Sequence, residues 1–423
     1  MIAMALRRTR ERLELAIKQR LRRVLRQAAG SPQGERLIRF LRADPTPEIP
    51  PEPDRERMRW ISAPTRLLAG LCITGYLRSE IGLGQAARCL AYACDSQRLP
   101  LSFRDLPLPA RDNDEEFGTK CNQIADRKAN LLVIGLSSIV ALQDEIRGGQ
   151  TNILYPFWEL SRIPAQWLTV ASRFDEIWAP SSFVAAGFQE SFGRPVRTMR
   201  PAVRLPPTLP EPRPLRDRLR FFTYLDFDSY AARKNPMAAV MAFKAAFGAE
   251  HPDVELVVKT RGELDGGSRT LLGSFTASDP RIRIIDRNLD RQAMDALMKE
   301  ADVFVSLHRS EGFGYGAAEA LAAGKAVIAT DYGGTTDFVS QASGYPVDYD
   351  LVSVRPGEYV AVEGQVWAEP RQESAVAAMR AIFDDPDEAR ARAAHGFEVL
   401  RRQYAPQVVG AEIERQLREL GLV

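Results

Sequence analysis

Histidine is scarce in this chain of 423 residues: His251, His308 and His395 are the only three, and all lie in the second half. The first half therefore has no imidazole to offer as a general base. Cysteine is nearly as rare, and Cys72, Cys89, Cys94 and Cys121 form no CxxC pair. That argues against the common redox and zinc motifs. The apolar helical pattern around Cys89 and Cys94 predicts reduced core thiols, and with them a reducing cytoplasm. No run of ~18 apolar residues appears, so no transmembrane helix is expected. The arginine-rich N-terminus lacks the apolar stretch of a signal peptide. A formal net charge of +2 is too small to make nucleic acid the main partner.

What is present is a globular balance, 45% hydrophobic and 26% charged, at a length that fits two α/β domains plus extras. Residues 1–64 stand apart. Their opening stretch sets nine Arg and Lys against Glu11 and Glu14, and Leu13, Ile17, Leu21 and Val24 recur at helical spacing. The spacing predicts a basic amphipathic helix, with residues 5–28 suited to an anionic membrane surface or to a protein surface. Pro45, Pro47, Pro50, Pro51 and Pro53 then read as a stiff linker.

Residues 65–205 alternate apolar strand candidates (RLLAGLCITGY, LLVIG, NILYPFW, DEIWAPS) with helical stretches, the pattern of a parallel sheet covered on both faces. A proline-rich connection near 200–214 precedes a second series over 206–400, with strand candidates at 219–225, 254–260, 282–286, 301–308 and 325–330. Residues 401–423 are expected to be a C-terminal helix that can cross back to the first domain. The fold class is α/β, with two Rossmann-like domains facing across a cleft and a helical N-terminal extension.

The most informative stretch is ADVFVSLHRSEGFGYGAAEALAAGKAVIATDYGGTTDFV, residues 301–339. A buried strand ends near His308, a glycine-loosened loop carries Glu311, and a helix carries Glu319. Ligands of open α/β sheets sit beyond the carboxyl ends of the strands, and a helix N-terminus offers free N–H groups to anions. Glu311 and Glu319 address different parts of one extended ligand in this arrangement.

This stretch resembles the second domain of retaining glycosyltransferases of family 4, which have the GT-B fold and a Glu-x7-Glu hallmark. It departs from the pattern at Lys325-Ala326, where proline is usual. The resemblance implies that Glu311 binds donor-sugar hydroxyls and organises the reacting centre, while Glu319 holds the nucleotide ribose. Gly312, Phe313 and Gly314, with Gly333, Gly334 and Thr335, are expected near the donor sugar or its phosphates. His308 and Arg309 are candidates for the nucleotide, or else a satisfied loop histidine and a solvated arginine.

A second signature, YLDFDSYAARKNPMAAVMAF at 224–243, is similar to the family's segment with Arg and Lys five residues apart. Lys234 matches the lysine, and Ser229 stands where the arginine is expected. Arg233, or Lys259 at the end of VELVVKT, is the candidate replacement. Cations are needed because the departing nucleoside diphosphate gains charge. In the first domain, GYLRSEIGLGQAAR resembles the family's glycine loop, so Gly82 and Gly84 are expected to let it approach the diphosphate. Trp158 and Glu159 are candidates for the acceptor side, with a core role the alternative for Trp158.

The resemblance implies a glycosyltransferase that takes a nucleotide-sugar donor to a glycan or lipid-linked acceptor with retention, in the cytoplasm or at the inner membrane face. No cofactor and no metal are expected. Asp226 and Asp228 are discounted as metal ligands because Arg233 and Lys234 follow directly. The alternatives are a nucleotide-sugar epimerase or a phosphorylase on the same fold, although no pyridoxal-lysine motif is found. A non-catalytic membrane-surface scaffold is the reading from another class.

Overall fold

Six strands account for the first half: Leu68–Gly75 (β1), Leu101–Asp105 (β2), Arg127–Gly135 (β3), Thr151–Phe157 (β4), Glu176–Ala179 (β5) and Arg197–Thr198 (β6). They form one parallel sheet in the order β2-β1-β3-β4-β5-β6. The computed structural model describes residues 66–423 except 109–114, 122–125, 194–195, 213–217, 249, 263–265 and 278. The basic segment and proline stretch of residues 1–64 thus lie outside the described residues.

The central strands β3 and β4 are buried on both faces, which is why they read as continuous apolar runs. Strand β2 was not anticipated, because LSFRD carries Arg104 and Asp105 and has no such run. Arg104 is nevertheless fully buried, since its guanidinium donates two bonds of 2.7 Å to Glu145. A bidentate ion pair compensates a charge that the apolar pattern rules out.

The second sheet contains Leu219–Asp226 (β7), Val254–Arg261 (β8), Ile282–Asp286 (β9), Val303–Ser306 (β10), Ala326–Thr330 (β11) and Tyr345–Val347 (β12). Its order is β12-β11-β10-β7-β8-β9, again parallel. An antiparallel hairpin, Tyr349–Ser353 (β13) and Val366–Pro370 (β14), follows it and was not foreseen. Its Trp367 joins Trp158 and Trp167 of the first domain in one buried cluster, so this arm of the second domain packs on the first.

Helix α1 (Gly82–Ser96) follows β1, and its Ala86, Ala87, Ala93 and Cys94 face the core. After helices Gln372–Asp384 (α2) and Pro386–Gln403 (α3), the chain returns through Pro406–Glu419 (α4) to lie on α1. The contact is close enough that a Cβ at Gly410 would stand 2.1 Å from the carbonyl oxygen of Ala93. The Gly70 amide donates to the Leu422 carbonyl at 2.9 Å, tying the chain end to the first sheet. Residues just beyond the carboxyl ends of β1, β3, β4, β7, β8 and β10 line one cleft of about 1050 Å³ between the domains.

Candidate functional site

The loop after β10 is held from both sides. Ser181 of the first domain donates its hydroxyl to the Gly312 carbonyl at 2.6 Å, and Ser310 donates to the Glu159 carbonyl. From the second domain, the Gly334 amide donates to the Glu311 carbonyl at 2.7 Å. A Cβ at Gly334 would lie 2.3 Å from the Gly312 oxygen, so only glycine permits this approach. These bonds fix the backbone that presents Glu311.

Glu311 is 7% exposed at the cleft wall, an expensive place for a carboxylate. Arg233 pairs with one of its oxygens at 2.9 Å, and the Lys234 ammonium pairs with the other. Burial pushes the Glu311 carboxyl upward, but Lys234 and Arg233 outweigh it and hold the group well below the ordinary carboxylate range. Burial draws the Lys234 ammonium downward against the pull of Glu311. For the buried guanidinium of Arg233, burial pulls downward while Glu311, first among its neighbours, lifts it to a net rise. The three groups form one charged unit in which each depends on the others.

Both cations sit on a single turn, Ala231–Lys234, between Tyr230 and Asn235. Ser229 stands at the expected arginine position, and Arg233, which bonds the Ser229 hydroxyl at 3.3 Å, is the guanidinium that pairs with Glu311. Lys259, at the end of β8, reaches the same cleft while only 4% exposed. Burial, with Arg261 adding to it, lowers its pKa to about 8. Asp226, on β7, is engaged by Arg261 at 2.8 Å and by the Asp228 amide at 3.0 Å.

The helix Tyr315–Ala322 follows the Glu311 loop and carries Glu319 in its interior. Glu319 accepts from Arg291 at 2.7 Å and from Gln85 of the first domain at 3.4 Å. The cleft therefore joins two carboxylate centres, Glu311 with two cations and Glu319 with one. An extended ligand carrying hydroxyls at each end and anionic charge between them fits this layout.

Several expected contacts are placed differently. His308 is wholly buried; Nδ1 lies 3.0 Å from the Ser306 carbonyl and Nε2 2.9 Å from that of Tyr332. Burial holds its pKa below the ordinary imidazole value, and the ring is absent from the cleft lining. Arg309 turns away from the cleft to Glu369 at 2.6 Å. Gly333, Gly334 and Thr335 press on the back of the Glu311 loop and are absent from the cleft lining. Gly84 closes a turn, where a Cβ would meet the Ser79 oxygen at 2.2 Å, while Gly82 lines the cleft. Phe313 lines it too but is packed against Tyr315, Phe338 and Tyr404.

Trp158 is 1% exposed and donates its indole N–H to the Arg162 carbonyl at 3.0 Å. It packs edge-to-face on Trp167 with ring centroids 5.0 Å apart and still borders the cleft. Glu159 accepts from the Tyr359 hydroxyl, on the loop of the β13–β14 hairpin. Sequence reasoning missed Arg291, Arg261 and Tyr359. Charged helix starts and strand ends read as solvated surface, and Tyr359 sits in a segment with no strand signal.

Residues 229–396 match the family model described as Glycosyl transferases group 1. No curated protein matches the chain by sequence. Among solved structures, sucrose-phosphate synthase from Thermosynechococcus elongatus is similar with TM-score 0.62 at 15% identity, over 84% of this chain and 99% of that one. HepE from Anabaena, solved with UDP and glucose, gives TM-score 0.60 at 12% identity, over 83% and 100%. A glycosyltransferase from Rickettsia africae ESF-5 gives 0.57 at 13% identity, over 84% and 99%. At these identities the likeness is one of fold.

Proposed function

We propose that this chain, whose residues 229–396 match the Glycosyl transferases group 1 model, is a glycosyltransferase that moves a sugar from a nucleotide-sugar donor to a glycan or lipid-linked acceptor with retention. The observation that carries the reading is the buried Glu311–Arg233–Lys234 unit on the cleft wall. Glu311 receives hydroxyls of the donor sugar, and Glu319 those of the ribose. Arg233, Lys234 and Lys259 face the diphosphate between them. As the glycosidic bond breaks, negative charge grows on the departing diphosphate, and cations already fixed in a water-poor wall stabilise it without reorganising.

The leaving phosphate itself takes the acceptor proton on the face it vacates, as the family resemblance implies for retention, and the lack of a histidine in the first half agrees with that. The UDP in the HepE structure makes uridine the first nucleotide to test. The basic segment 5–28 supports an anionic membrane surface as the place of action, on its cytoplasmic side, where a lipid-linked acceptor is met. The buried free thiols Cys72, Cys89 and Cys94 fit a reducing compartment.

The test is thermal stabilisation by UDP-, GDP- and dTDP-sugars, followed by anomeric analysis of the product. A donor at a hundredfold its Kd adds ~2.7 kcal/mol to the folded state. Stabilisation by none of them, or a product of inverted configuration, contradicts the proposal.

A further inference from the structure

The cationic turn is strained at both ends. Tyr230 has φ 51° and Asn235 φ 49°, left-handed conformations that non-glycine residues rarely hold. Such a turn persists only where its surroundings over-determine it. Those surroundings come from Arg309 and the β13–β14 arm.

The Arg309 amide donates to the Arg233 carbonyl at 2.8 Å, and its guanidinium donates to the Ala232 carbonyl at 2.7 Å. The Nε of the same guanidinium is held by the Glu369 carboxylate at 2.6 Å, while the Ala368 amide donates to the Arg309 carbonyl at 2.9 Å. Glu369 also accepts from the Asn235 amide group at 3.4 Å, at the strained end of the turn. At the other end, the Tyr230 ring packs on Tyr359 with centroids 4.6 Å apart. Neither Arg309 nor Glu369 lines the cleft.

From this geometry we infer that Arg309 and Glu369 are positioning residues: they hold the two carbonyls of the turn so that Arg233 and Lys234 point at the cleft. The inference rests on the role given above to those two cations. Without the clamp, the turn relaxes toward right-handed backbone and the Lys234 ammonium leaves Glu311. A cation displaced by about 1 Å costs on the order of a hundredfold in turnover when it acts on developing charge, but much less in ground-state binding.

The full-length protein carrying Glu369→Ala tests this, with Glu369→Gln as the variant that keeps an oxygen acceptor. The first readout is independent of activity: the rate at which Lys234 is acylated by an amine-reactive reagent, read by mass spectrometry against exposed Lys128. Glu369→Ala is expected to label Lys234 at least about threefold faster than wild type, with Glu369→Gln between them. Equal labelling overturns the inference even if wild type proves inert on every donor, which is instead a failure of the functional reading. In active protein, kcat is expected to fall about tenfold or more while the donor KM moves by less than about threefold. A fall in kcat of the same factor when Glu369→Ala is added to a variant lacking both cations, Arg233→Ala/Lys234→Ala, also overturns it, because the clamp then acts on something other than that pair.

Discussion

Replacing Glu311 by glutamine removes one charge and almost no volume, so its consequences separate charge from packing. At 2.9 Å the Arg233–Glu311 pair is worth ~6 kcal/mol at an effective dielectric of about 20, before desolvation is counted. Arg233 is 4% exposed and loses its counter-charge without regaining water. Removing one partner of a buried pair costs about 3–5 kcal/mol. The low end applies, because the Lys234 side chain is 26% exposed and rehydrates. At roughly 2 °C per kcal/mol for a protein of this size, melting falls by about 6 °C. A nucleoside diphosphate returns negative charge to the same two cations, so UDP raises the melting temperature of Glu311→Gln by more than it raises that of wild type. Transfer falls about a hundredfold or more, as when a fixed electrostatic group is lost. The acid limb follows from the same pair. The folded carboxyl lies below its ordinary value of 4.5, so its stabilisation is complete above that pH and is lost as pH falls toward the folded value. Differential scanning fluorimetry with and without UDP, beside a donor-turnover assay, reads all of this. An unchanged melting temperature together with near-wild-type turnover refutes the reasoning.

Glu319→Ala is expected to weaken UDP binding by about 1–3 kcal/mol while leaving the fold intact, measured by titration calorimetry; undiminished affinity removes Glu319 from the ribose. Lys259 has a folded pKa of about 8 against an ordinary 10.5, so between these values the unfolded state holds the extra proton and stability rises with pH. Diphosphate affinity falls over the same window as the cation is lost, and Lys259→Arg abolishes that fall; a flat affinity from pH 7 to 9.5 in wild type contradicts the assignment. The basic segment is tested by co-sedimentation with anionic vesicles at low salt, where the full chain should pellet and a chain starting at Arg59 should not. Equal partitioning of the two ends the membrane proposal and leaves the transferase unaffected.

The sequence by itself determined the two parallel sheets, because strands buried on both faces must be written as apolar runs such as LLVIG and VELVV. It also determined the carboxylate–glycine–helix segment around Glu311 and Glu319, where spacing along one strand, loop and helix is local. Lys234 and Lys259 were legible for the same reason. Strand β2 was hidden because the residue that compensates Arg104, Glu145, is 41 positions away. The β13–β14 arm was hidden because its strands are half-buried and its partners, Trp158 and Glu159, belong to the other domain. Tertiary structure alone decided which side chains reach the cleft. His308 and Arg309 look like ligand contacts from their place after a strand, yet one is buried between Ser306 and the Tyr332 carbonyl and the other turns to Glu369. Ser229 leaves a cation missing from the sequence pattern, and the turn held in left-handed backbone at both ends brings Arg233 onto Glu311. A one-dimensional pattern records which residues stand at the end of a strand; the direction each side chain takes depends on partners far away in sequence, and only the folded chain brings those partners into reach.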